Sequence, residues 1–307
     1  MKKVKVQVPA TVANLVCGFD ILGMALNEPY DEMEVILTNA PGIKIKHTDE
    51  FALPEETDQN VAGVALQALI EEYAKPIGFD LTVHKNIKPG SGLGSSAAGS
   101  AGAVVAANHL LGDPFTKEDL VRFAMNGEKL ATGVKHADNI APAIYGGVTL
   151  IRSIFPLDII SLGSPSLFVT VVHPQIEVKT SDARQILRKE VQLKAAIKQW
   201  GNIAGLVTGI LKNDHKLIGR SLDDSIIEPV RSILIPGFDE VKQKSIDAGA
   251  LGGGISGSGP SIFMLSENEE IANDIEEEMK LTYQKLGIDF RSCVTTINKD
   301  GVKLITS

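Results

Sequence analysis

Glycine, serine and alanine are concentrated in the stretch KPGSGLGSSAAGSAGAVVAANHLLG, from Lys88 to Gly112. It begins with the composition of a loop and continues with that of a helix. Glycine is needed where the backbone has a positive φ or where another group approaches it closely. A helix start presents free N–H groups and the positive end of the helix dipole, and both attract anions. The spacing therefore predicts a loop that binds phosphate through its backbone.

Two other phosphate-binding designs compete for this stretch. A Walker loop needs Lys followed by Ser or Thr after its last glycine, whereas Ser95 and Ser96 follow Gly94. Gly92, Gly94 and Ala97 satisfy the dinucleotide pattern G-x-G-x-x-A, but repeated parallel βαβ units are not evident around them. An ordinary tight turn is the remaining interpretation, and this stretch alone leaves it open.

A second glycine run, GALGGGISGSGPSIF, extends from Gly249 to Phe263. It contains the pattern G-x-G-x-x-G, but a helix-like segment over 238–248 precedes it and a strand follows it. That order is the reverse of the one in a dinucleotide fold. Two glycine runs in one chain favour a phosphate site over two unrelated turns.

The elements that must position these loops follow from the hydrophobic pattern. Apolar alternation predicts strands over 4–8, 33–37, 81–87, 147–152, 167–173 and 260–266, with a final strand pair within 290–305. Helical spacing predicts helices over 60–73 and 117–130, a buried small-residue helix over 97–111, and mostly helix from about residue 180. The acidic stretch ENEEIANDIEEEMK is typical of a solvated helix face. The fold class predicted is α+β, with two intimately packed halves, 1–155 and 156–307.

Charge and cysteine content limit the possible partners. Lys and Arg number 30 and Asp and Glu 38, a net charge of −8 that argues against a general nucleic-acid or acidic membrane surface. Cys17 and Cys293 are too few for a disulfide framework or a cysteine-rich zinc site, so a reducing cytoplasm is expected. A single disulfide between them stays open. The segment MKKVKVQVPA alternates like a strand and does not resemble a signal peptide.

The glycine runs resemble two signature motifs of the GHMP kinases, a family that includes galactokinase, homoserine kinase and mevalonate kinase. PGSGLGSSAA (89–98) is similar to the central motif and GGGISGSGPSIF (252–263) to the third. VPATVANLVCGFDILGMAL (8–26), HADNIAPAIYGG (136–147) and EPVRSILIPGF (228–238) resemble segments of the homoserine-phosphorylating branch. One departure is Val16-Cys17, where that branch usually has Gly-Pro.

This resemblance implies a fold and a reaction. The N-terminal half is expected to resemble ribosomal protein S5 and the C-terminal half a ferredoxin. The implied reaction is direct in-line transfer of a phosphoryl group from ATP, with Mg²⁺, to the hydroxyl of L-homoserine, a step of threonine biosynthesis. The resemblance further implies a cytoplasmic homodimer that acts on a small molecule, with no nucleic-acid or membrane partner.

The resemblance also implies roles for residues at the ATP site. The phosphates are expected against the backbone and hydroxyls of Pro89, Gly90, Ser91, Gly92, Leu93, Gly94, Ser95 and Ser96. Asn60 and Lys85 are expected near the nucleotide base. Ser96 and Glu128 are expected to bind Mg²⁺, which prefers hard oxygen ligands.

For the acceptor, the resemblance implies that Asp20 pairs with the ammonium group of homoserine. Arg184 and Arg231 are expected to bind its carboxylate, because a guanidinium matches two oxygens. Further substrate-binding residues are expected at Asn14, His136, Thr180 and Gly257. The catalytic residues implied are Asp138, Asn139 and Asn14. Which of the adjacent Asp138 and Asn139 reaches the reacting hydroxyl remains open, as does the presence of a strong base at all.

Two alternative functions stay open. A GHMP kinase for mevalonate or a similar alcohol would not need one carboxylate and two arginines arranged for a zwitterion. A non-catalytic nucleotide sensor would bind ATP without turnover, and the presence of Ser96, Glu128 and Asp138 argues against it. An NAD-dependent dehydrogenase is a remote third alternative that rests on the glycine pattern alone.

Overall fold

The computed structural model describes residues 2–305, which form two sheets surrounded by helices. The strands are β1 (Lys3–Ala13), β2 (Leu22–Thr38), β3 (Gly42–His47), β4 (Gly78–His84), β5 (Val148–Ile154), β6 (Leu157–Gly163), β7 (Phe168–Pro174), β8 (Gly252–Ile255), β9 (Ile262–Ser266), β10 (Phe290–Thr296) and β11 (Lys303–Ile305). The helices are α1 (Val61–Tyr73), α2 (Ser95–Leu110), α3 (Lys117–Thr132), α4 (Ile140–Tyr145), α5 (Thr180–Gln185), α6 (Leu193–Lys212), α7 (His215–Ser221), α8 (Glu228–Arg231), α9 (Phe238–Asp247) and α10 (Glu269–Leu286). The predicted α+β class is confirmed.

The first sheet has seven strands and the second has four. The first runs β11-β1-β2-β4-β3, with β5 beside β2 and β6 beside β5, and β3–β4 is its parallel pair. The second is antiparallel in the order β10-β7-β9-β8. Two strands lie within 290–305 as predicted, but they do not pair with each other, because β10 pairs with β7 while β11 returns to β1. The division at residue 155 stays a prediction, and the sheet pairing favours a boundary after Gly163.

Helix α2 explains the small-residue composition of its segment. It is buried on nearly all sides, between β1, α1 and α3. A Cβ at Gly102 would lie 2.5 Å from Cγ2 of Val8, and one at Gly127 on α3 would lie 2.2 Å from Oγ of Ser100. Small side chains let these elements approach closely. Within residues 2–305, no helix combines the length and apolarity that crossing a membrane requires.

The second half has its own hydrophobic core. Helices α9 and α10 cover one face of the four-stranded sheet, where Val172, Val241, Met264, Ile275 and Tyr283 are buried. The acidic face of α10 is largely exposed, as predicted. This core anchors β8 and β9, the two strands that flank the turn of the third motif.

Local sequence patterns located most elements but not all their limits. The strand predicted over 81–87 ends at His84, and the glycine run after α9 contains a strand, β8. Cys17 is buried and Cys293 half-buried, and both are free, so the disulfide left open by the sequence does not form.

Candidate functional site

The two glycine runs meet at a cavity of about 410 Å³ between the two halves. We call residues 88–94, between β4 and α2, the phosphate loop. Oγ of Ser256 donates a hydrogen bond to the carbonyl of Gly92 at 2.7 Å, and the N–H of Ser261 donates to the carbonyl of Ser91 at 3.2 Å. The third motif therefore holds the phosphate loop from the other half.

Three glycines of the phosphate loop have left-handed backbones, but the space around them differs. Their φ angles are +75° at Gly90, +82° at Gly92 and +70° at Gly94. A Cβ at Gly92 would lie 2.6 Å from the carbonyl oxygen of Ser256, and one at Gly94 would lie 2.0 Å from Oγ1 of Thr11. A Cβ at Gly90 would have no atom of the described chain within 4 Å, apart from those of its two neighbours in sequence. Gly90 is thus the position with open space for a ligand.

The first turn of α2 lacks a side-chain cap. Gly94 is the N-cap and makes no side-chain hydrogen bond, whereas Asn60, Thr116 and Asn268 cap α1, α3 and α10. Uncapped N–H groups at a helix start are donors for an anion. The end of the phosphate loop therefore presents backbone donors and the helix dipole to the cavity.

Glu128 of α3 and Ser96 of α2 provide adjacent oxygens on one wall of the cavity. Oγ of Ser96 donates to Oε2 of Glu128 at 2.9 Å. Burial raises the pKa of the Glu128 carboxyl, and the bond from Ser96 opposes that effect. A buried carboxylate and a hydroxyl fit Mg²⁺, which usually keeps several waters and binds phosphates besides one or two carboxylates. Within residues 2–305, no three His, Cys, Asp or Glu side chains converge as a metal site, so phosphate and water oxygens would supply the other ligands.

Asn60 and Lys85 both line the cavity, but their polar groups already have protein partners. The amide of Asn60 accepts from the N–H of Ala62 at 2.9 Å and donates to the carbonyl of Pro54 at 2.6 Å. The ammonium of Lys85 contacts Asp31 and donates to the carbonyl of Ser95 at 3.0 Å. Their placement near the nucleotide base stays a prediction.

Asp20 and Arg184 form a two-pronged ion pair that lines the same cavity. Nη2 of Arg184 lies 2.9 Å from Oδ1 of Asp20, and Nη1 lies 3.2 Å from Oδ2. Arg231 is buried beside them and donates to the carbonyls of Ala183 at 3.0 Å and Gly257 at 3.1 Å. Burial, together with the nearby charge of Arg184, lowers the pKa of Arg231 to about 10. One carboxylate and two guanidiniums therefore face the same part of the cavity, and we call Asp20, Arg184 and Arg231 the acceptor wall.

Sequence reasoning missed Phe19, which lies against both arginines. The guanidinium carbons of Arg184 and Arg231 are 5.5 Å and 4.9 Å from the centroid of its ring. These are cation–π distances. The adjacency of Phe19 to Asp20 was the available signal, but nothing in the sequence places the arginines over the ring.

A left-handed turn presents Asp20 to the cavity. The φ angles of Asn14, Leu15 and Val16 are +74°, +41° and +64°. Oδ1 of Asn14 accepts from the N–H of Asp20 at 3.0 Å, and its Nδ2 donates to the carbonyl of Gly257 at 2.9 Å. The departure at Val16-Cys17 lies in this turn, and both side chains are buried.

Asp138 lines the cavity, where the charges of both Asp20 and Glu128 reach it. Burial, together with the charges of Asp20 and Glu128, raises the pKa of Asp138 to about 7. The neighbouring Asn139 side chain accepts from Oγ1 of Thr11 at 2.7 Å. Asp138 is therefore the carboxyl able to exchange a proton near neutral pH, and Asn139 is fixed beside it.

His136 and Thr180 lie at the edge of the acceptor wall. Nδ1 of His136 is 3.7 Å from Oδ1 of Asp20, and its buried Nε2 has no hydrogen-bond partner in the described chain. Burial lowers the pKa of this imidazole. Oγ1 of Thr180 lies 3.2 Å from Oγ of Ser258. A buried nitrogen without a partner is suited to a ligand that supplies one.

The cavity brings together most of the residues selected from the sequence. They are Asn14, Asp20, Asn60, Lys85, Pro89, Gly90, Gly92, Gly94, Ser95, Ser96, Glu128, His136, Asp138, Asn139, Thr180, Arg184, Arg231 and Gly257. Ser91 and Leu93 also belong to the phosphate loop, but their side chains are buried and do not line the cavity. Besides Phe19, the lining includes His47 and Leu53, which the sequence did not single out.

Comparisons with known proteins agree along the whole chain. Residues 60–147 match the model of the GHMP kinases N terminal domain, and residues 206–285 match that of the GHMP kinases C terminal domain. A homoserine kinase of Chloroherpeton thalassium is 47% identical over 299 residues, which cover 93% of this chain and 94% of that protein. A homoserine kinase of Chlorobaculum tepidum is 43% identical over 322 residues, covering 100% of this chain and 99% of that protein.

Solved structures give the same result. The crystal structure of a homoserine kinase from Cytophaga hutchinsonii has a TM-score of 0.95 and 46% identity, covering 99% of this chain and 98% of that chain. The L. major mevalonate kinase in complex with R-mevalonate has a TM-score of 0.71 at 17% identity, covering 97% and 96% of the two chains, and is similar in fold alone.

Proposed function

Because the chain belongs to the homoserine kinases of the GHMP kinase family, we propose that it transfers the γ-phosphoryl group of ATP to the hydroxyl of L-homoserine. The products are O-phospho-L-homoserine and ADP, and the reaction is a step of threonine biosynthesis. The observation that carries this proposal is the cavity wall formed by Asp20, Arg184 and Arg231 opposite an uncapped helix start. A zwitterion needs one anion and one or two cations, and a triphosphate needs backbone donors.

The phosphate loop and α2 bind the phosphates in this proposal. The N–H groups of the loop and of the first turn of α2 donate to the phosphate oxygens, and the open space at Gly90 admits them. Ser96 and Glu128 would hold Mg²⁺ at the phosphates. When bound, Mg²⁺ supplies positive charge that offsets the negative charge of the transferred group.

The acceptor wall orients homoserine for attack. Asp20 binds the ammonium group, and Arg184 and Arg231 bind the carboxylate through charge-assisted hydrogen bonds. Gly257 supports this wall, because its carbonyl accepts from both Asn14 and Arg231. Fixing both ends of the amino acid leaves its hydroxyl free to point toward the phosphate loop, so that the transfer is direct and in line.

Asp138 is the proposed acceptor of the hydroxyl proton. A carboxyl with a pKa of about 7 is half ionised near neutral pH, which suits a general base. Asn139, bonded to Thr11, supports the backbone from which Asp138 projects. Positioning and charge stabilisation supply most of the catalysis in phosphoryl transfer, so a moderate base suffices.

Replacing each arginine by lysine tests the identity of the acceptor. Arg184→Lys and Arg231→Lys keep the charge but lose the two-pronged geometry, so homoserine binding should weaken by about 1.5 to 3 kcal/mol, roughly ten- to a hundredfold. The Michaelis constant for ATP should stay unchanged. Arg188→Lys, at an exposed position just after α5, is the matched control.

The decisive comparison uses 3-aminopropan-1-ol, which is homoserine without its carboxylate. Wild-type kcat/KM for this analogue should be low, and neither substitution should lower it much further, because the partner group is already absent. Equal losses for both substrates would refute the carboxylate site. Faster turnover of a mevalonate-like alcohol than of homoserine would favour that alternative, and ATP binding without any turnover would favour a nucleotide sensor.

We also infer a cytoplasmic homodimer. The two free cysteines support a reducing compartment. Leu193, Ile197 and Trp200 on α6 are 66%, 56% and 59% exposed and form an apolar face of the kind found at protein interfaces. Light scattering should give the mass of a dimer for the wild type and that of a monomer for Trp200→Glu. A monomeric wild type would contradict the inference.

A further inference from the structure

A buried ion pair lies beneath the phosphate loop. Asp31 of β2 and Lys85, just after β4, have side chains that are only 2% and 4% exposed. Oδ1 of Asp31 accepts from the backbone N–H groups of Asn86 at 2.8 Å and Ile87 at 2.9 Å. Nζ of Lys85 donates to the carbonyl of Ser95 at 3.0 Å. The pair therefore contacts the chain on both sides of the loop, where it leaves the sheet and where α2 begins.

A further hydrogen bond closes this arrangement into a ring. Oγ of Ser95 donates to the carbonyl of Ile87 at 2.8 Å. Ile87 precedes the loop and Ser95 follows it, so these contacts fix the separation of the two ends. Ile87 is fully buried and Ser95 nearly so. In a buried, low-dielectric network each bond is stronger than in water, and the members act together.

A contribution to folding stability does not by itself explain why this buried ion pair is present. Replacing a buried ion pair by apolar side chains is often neutral or stabilising, because the desolvation of two charges offsets their attraction. A lysine beside the start of a helix is also unfavourable for the helix dipole unless a carboxylate compensates it. A geometric role accounts for both features, since the ammonium that donates to the Ser95 carbonyl is neutralised by Asp31.

We propose that Asp31 is a positioning residue for the nucleotide phosphates. Acting through Lys85, it sets the spacing of the two ends of the phosphate loop, and so the convergence of the N–H groups on the phosphates. This inference rests on the proposed use of ATP. The proposal therefore predicts an effect on the binding of the phosphates alone. Asp31 acts on the phosphate loop and contacts neither adenosine nor homoserine.

Two substitutions and their combination test the proposal. Asp31→Asn keeps an oxygen for the two backbone N–H groups and removes the charge, whereas Lys85→Met keeps the length of the side chain and removes the donor to Ser95. In the double variant neither buried charge is left unpaired, so it supplies the measurement if a single variant does not fold. Asp158→Asn, which breaks the exposed pair with Arg152 on the β5–β6 hairpin, is the control.

Calorimetry should measure the dissociation constants of Mg²⁺ with a non-hydrolysable ATP analogue, and of adenosine alone. We expect each single variant and the double variant to bind the analogue about tenfold more weakly, within the range for residues that act as one network. Adenosine affinity and the Michaelis constant for homoserine should change less than twofold. The unfolding free energy of the double variant should recover toward that of the wild type, while its affinity for the analogue does not.

Three results would overturn the proposal. Wild-type affinity for the analogue in the double variant would make the pair merely structural. Weaker adenosine binding on loss of Lys85 would make that lysine a contact of the base. Additive losses in the double variant would mean that the two residues act separately. Failure of the wild type to phosphorylate homoserine is a different outcome, since the binding measurements need no acceptor.

Discussion

Asp138→Asn should change the pH dependence of both stability and activity. Burial, aided by the charges of Asp20 and Glu128, raises the pKa of Asp138 from 3.8 to about 7. The folded protein therefore holds this proton more tightly than the unfolded chain does. The contribution of the Asp138 carboxyl to folding stability is fully present below pH 4 and is lost as the pH rises through 7. Asparagine carries no such proton, so this dependence should disappear in the variant.

The size of the effect follows from the two pKa values. The difference is about three pH units at about 1.36 kcal/mol each, or about 4 kcal/mol of unfolding free energy at high pH. Of this, about 2.5 kcal/mol falls between pH 5 and pH 8, because the unfolded chain is already ionised at pH 5. The wild type should lose that amount over this interval relative to Asp138→Asn.

Urea unfolding of both proteins at pH 5 and pH 8 measures this difference. All other titrating groups are shared, so subtracting the variant's change from that of the wild type gives the contribution of Asp138 together with its coupling to Asp20 and Glu128. Asp274→Asn, at an exposed position of α10, is the control and should follow the wild type at both pH values. In kinetics, wild-type kcat should rise with an apparent pKa near 7, and the residual activity of Asp138→Asn should lack that rise.

Equal losses of stability in wild type and variant would refute the reasoning. That result would mean that the folded environment does not disfavour the ionised Asp138 carboxylate. A normal stability difference combined with unchanged kcat would leave the burial argument intact but remove Asp138 from proton transfer. The two measurements therefore test the environment and the role of this residue separately.

The other predictions concern the loop, the metal and the acceptor wall. Gly94→Ala should lower the unfolding free energy more than Gly90→Ala. Both substitutions carry a left-handed backbone cost of about 1 kcal/mol, but only the Cβ at position 94 would meet a hydroxyl oxygen, that of Thr11, at 2.0 Å. Equal denaturation midpoints would contradict this. Glu128→Gln should raise the Mg²⁺ concentration for half-maximal activity, because an anionic ligand is lost, and an identical Mg²⁺ titration would make Glu128 irrelevant to the metal. Phe19→Leu should raise the Michaelis constant for homoserine several-fold by removing cation–π contacts worth about 0.5 to 2 kcal/mol, while that for ATP stays constant; equal changes in both would indicate a general disturbance.

Local patterns in the sequence were sufficient for the features that depend on local conformation. Glycines at 90, 92 and 94 before a run of small residues predicted a turn into a buried helix, and φ angles near +75° are what such a turn needs. Runs of β-branched and apolar residues located β1 and β7, although β7 is buried at six consecutive positions and so has no exposed face along most of its length. The partner of a strand is not encoded in its alternation, which is why the sequence does not show that β10 pairs with β7 and β11 with β1.

Contacts between distant segments could not be derived in this way. Asp31 looks like an ordinary charge in a strand, and its bond to Lys85 crosses 54 residues of sequence. Phe19 acquires its role only when α5 and α8 bring two guanidiniums over its ring. The family resemblance selected residues that line one cavity, but the side chains that hold them in place emerge only from the packing of the two halves.

The pairing of Asp20 with Arg184 bears on why the acceptor should be an amino acid. The two side chains lie 164 residues apart in sequence and neutralise each other at 2.9 Å. In the proposed binding mode homoserine would exchange this contact for two others, with its ammonium in place of Arg184 at Asp20 and its carboxylate in place of Asp20 at Arg184. Mevalonate has a carboxylate but no ammonium, so it would satisfy the arginine and leave half-buried Asp20 with His136 alone, an imidazole whose pKa is lowered by burial. Leaving one charge of such a pair unmatched is costly. The site then discriminates against other alcohols because they provide no ammonium for Asp20, as well as through the contacts that homoserine makes.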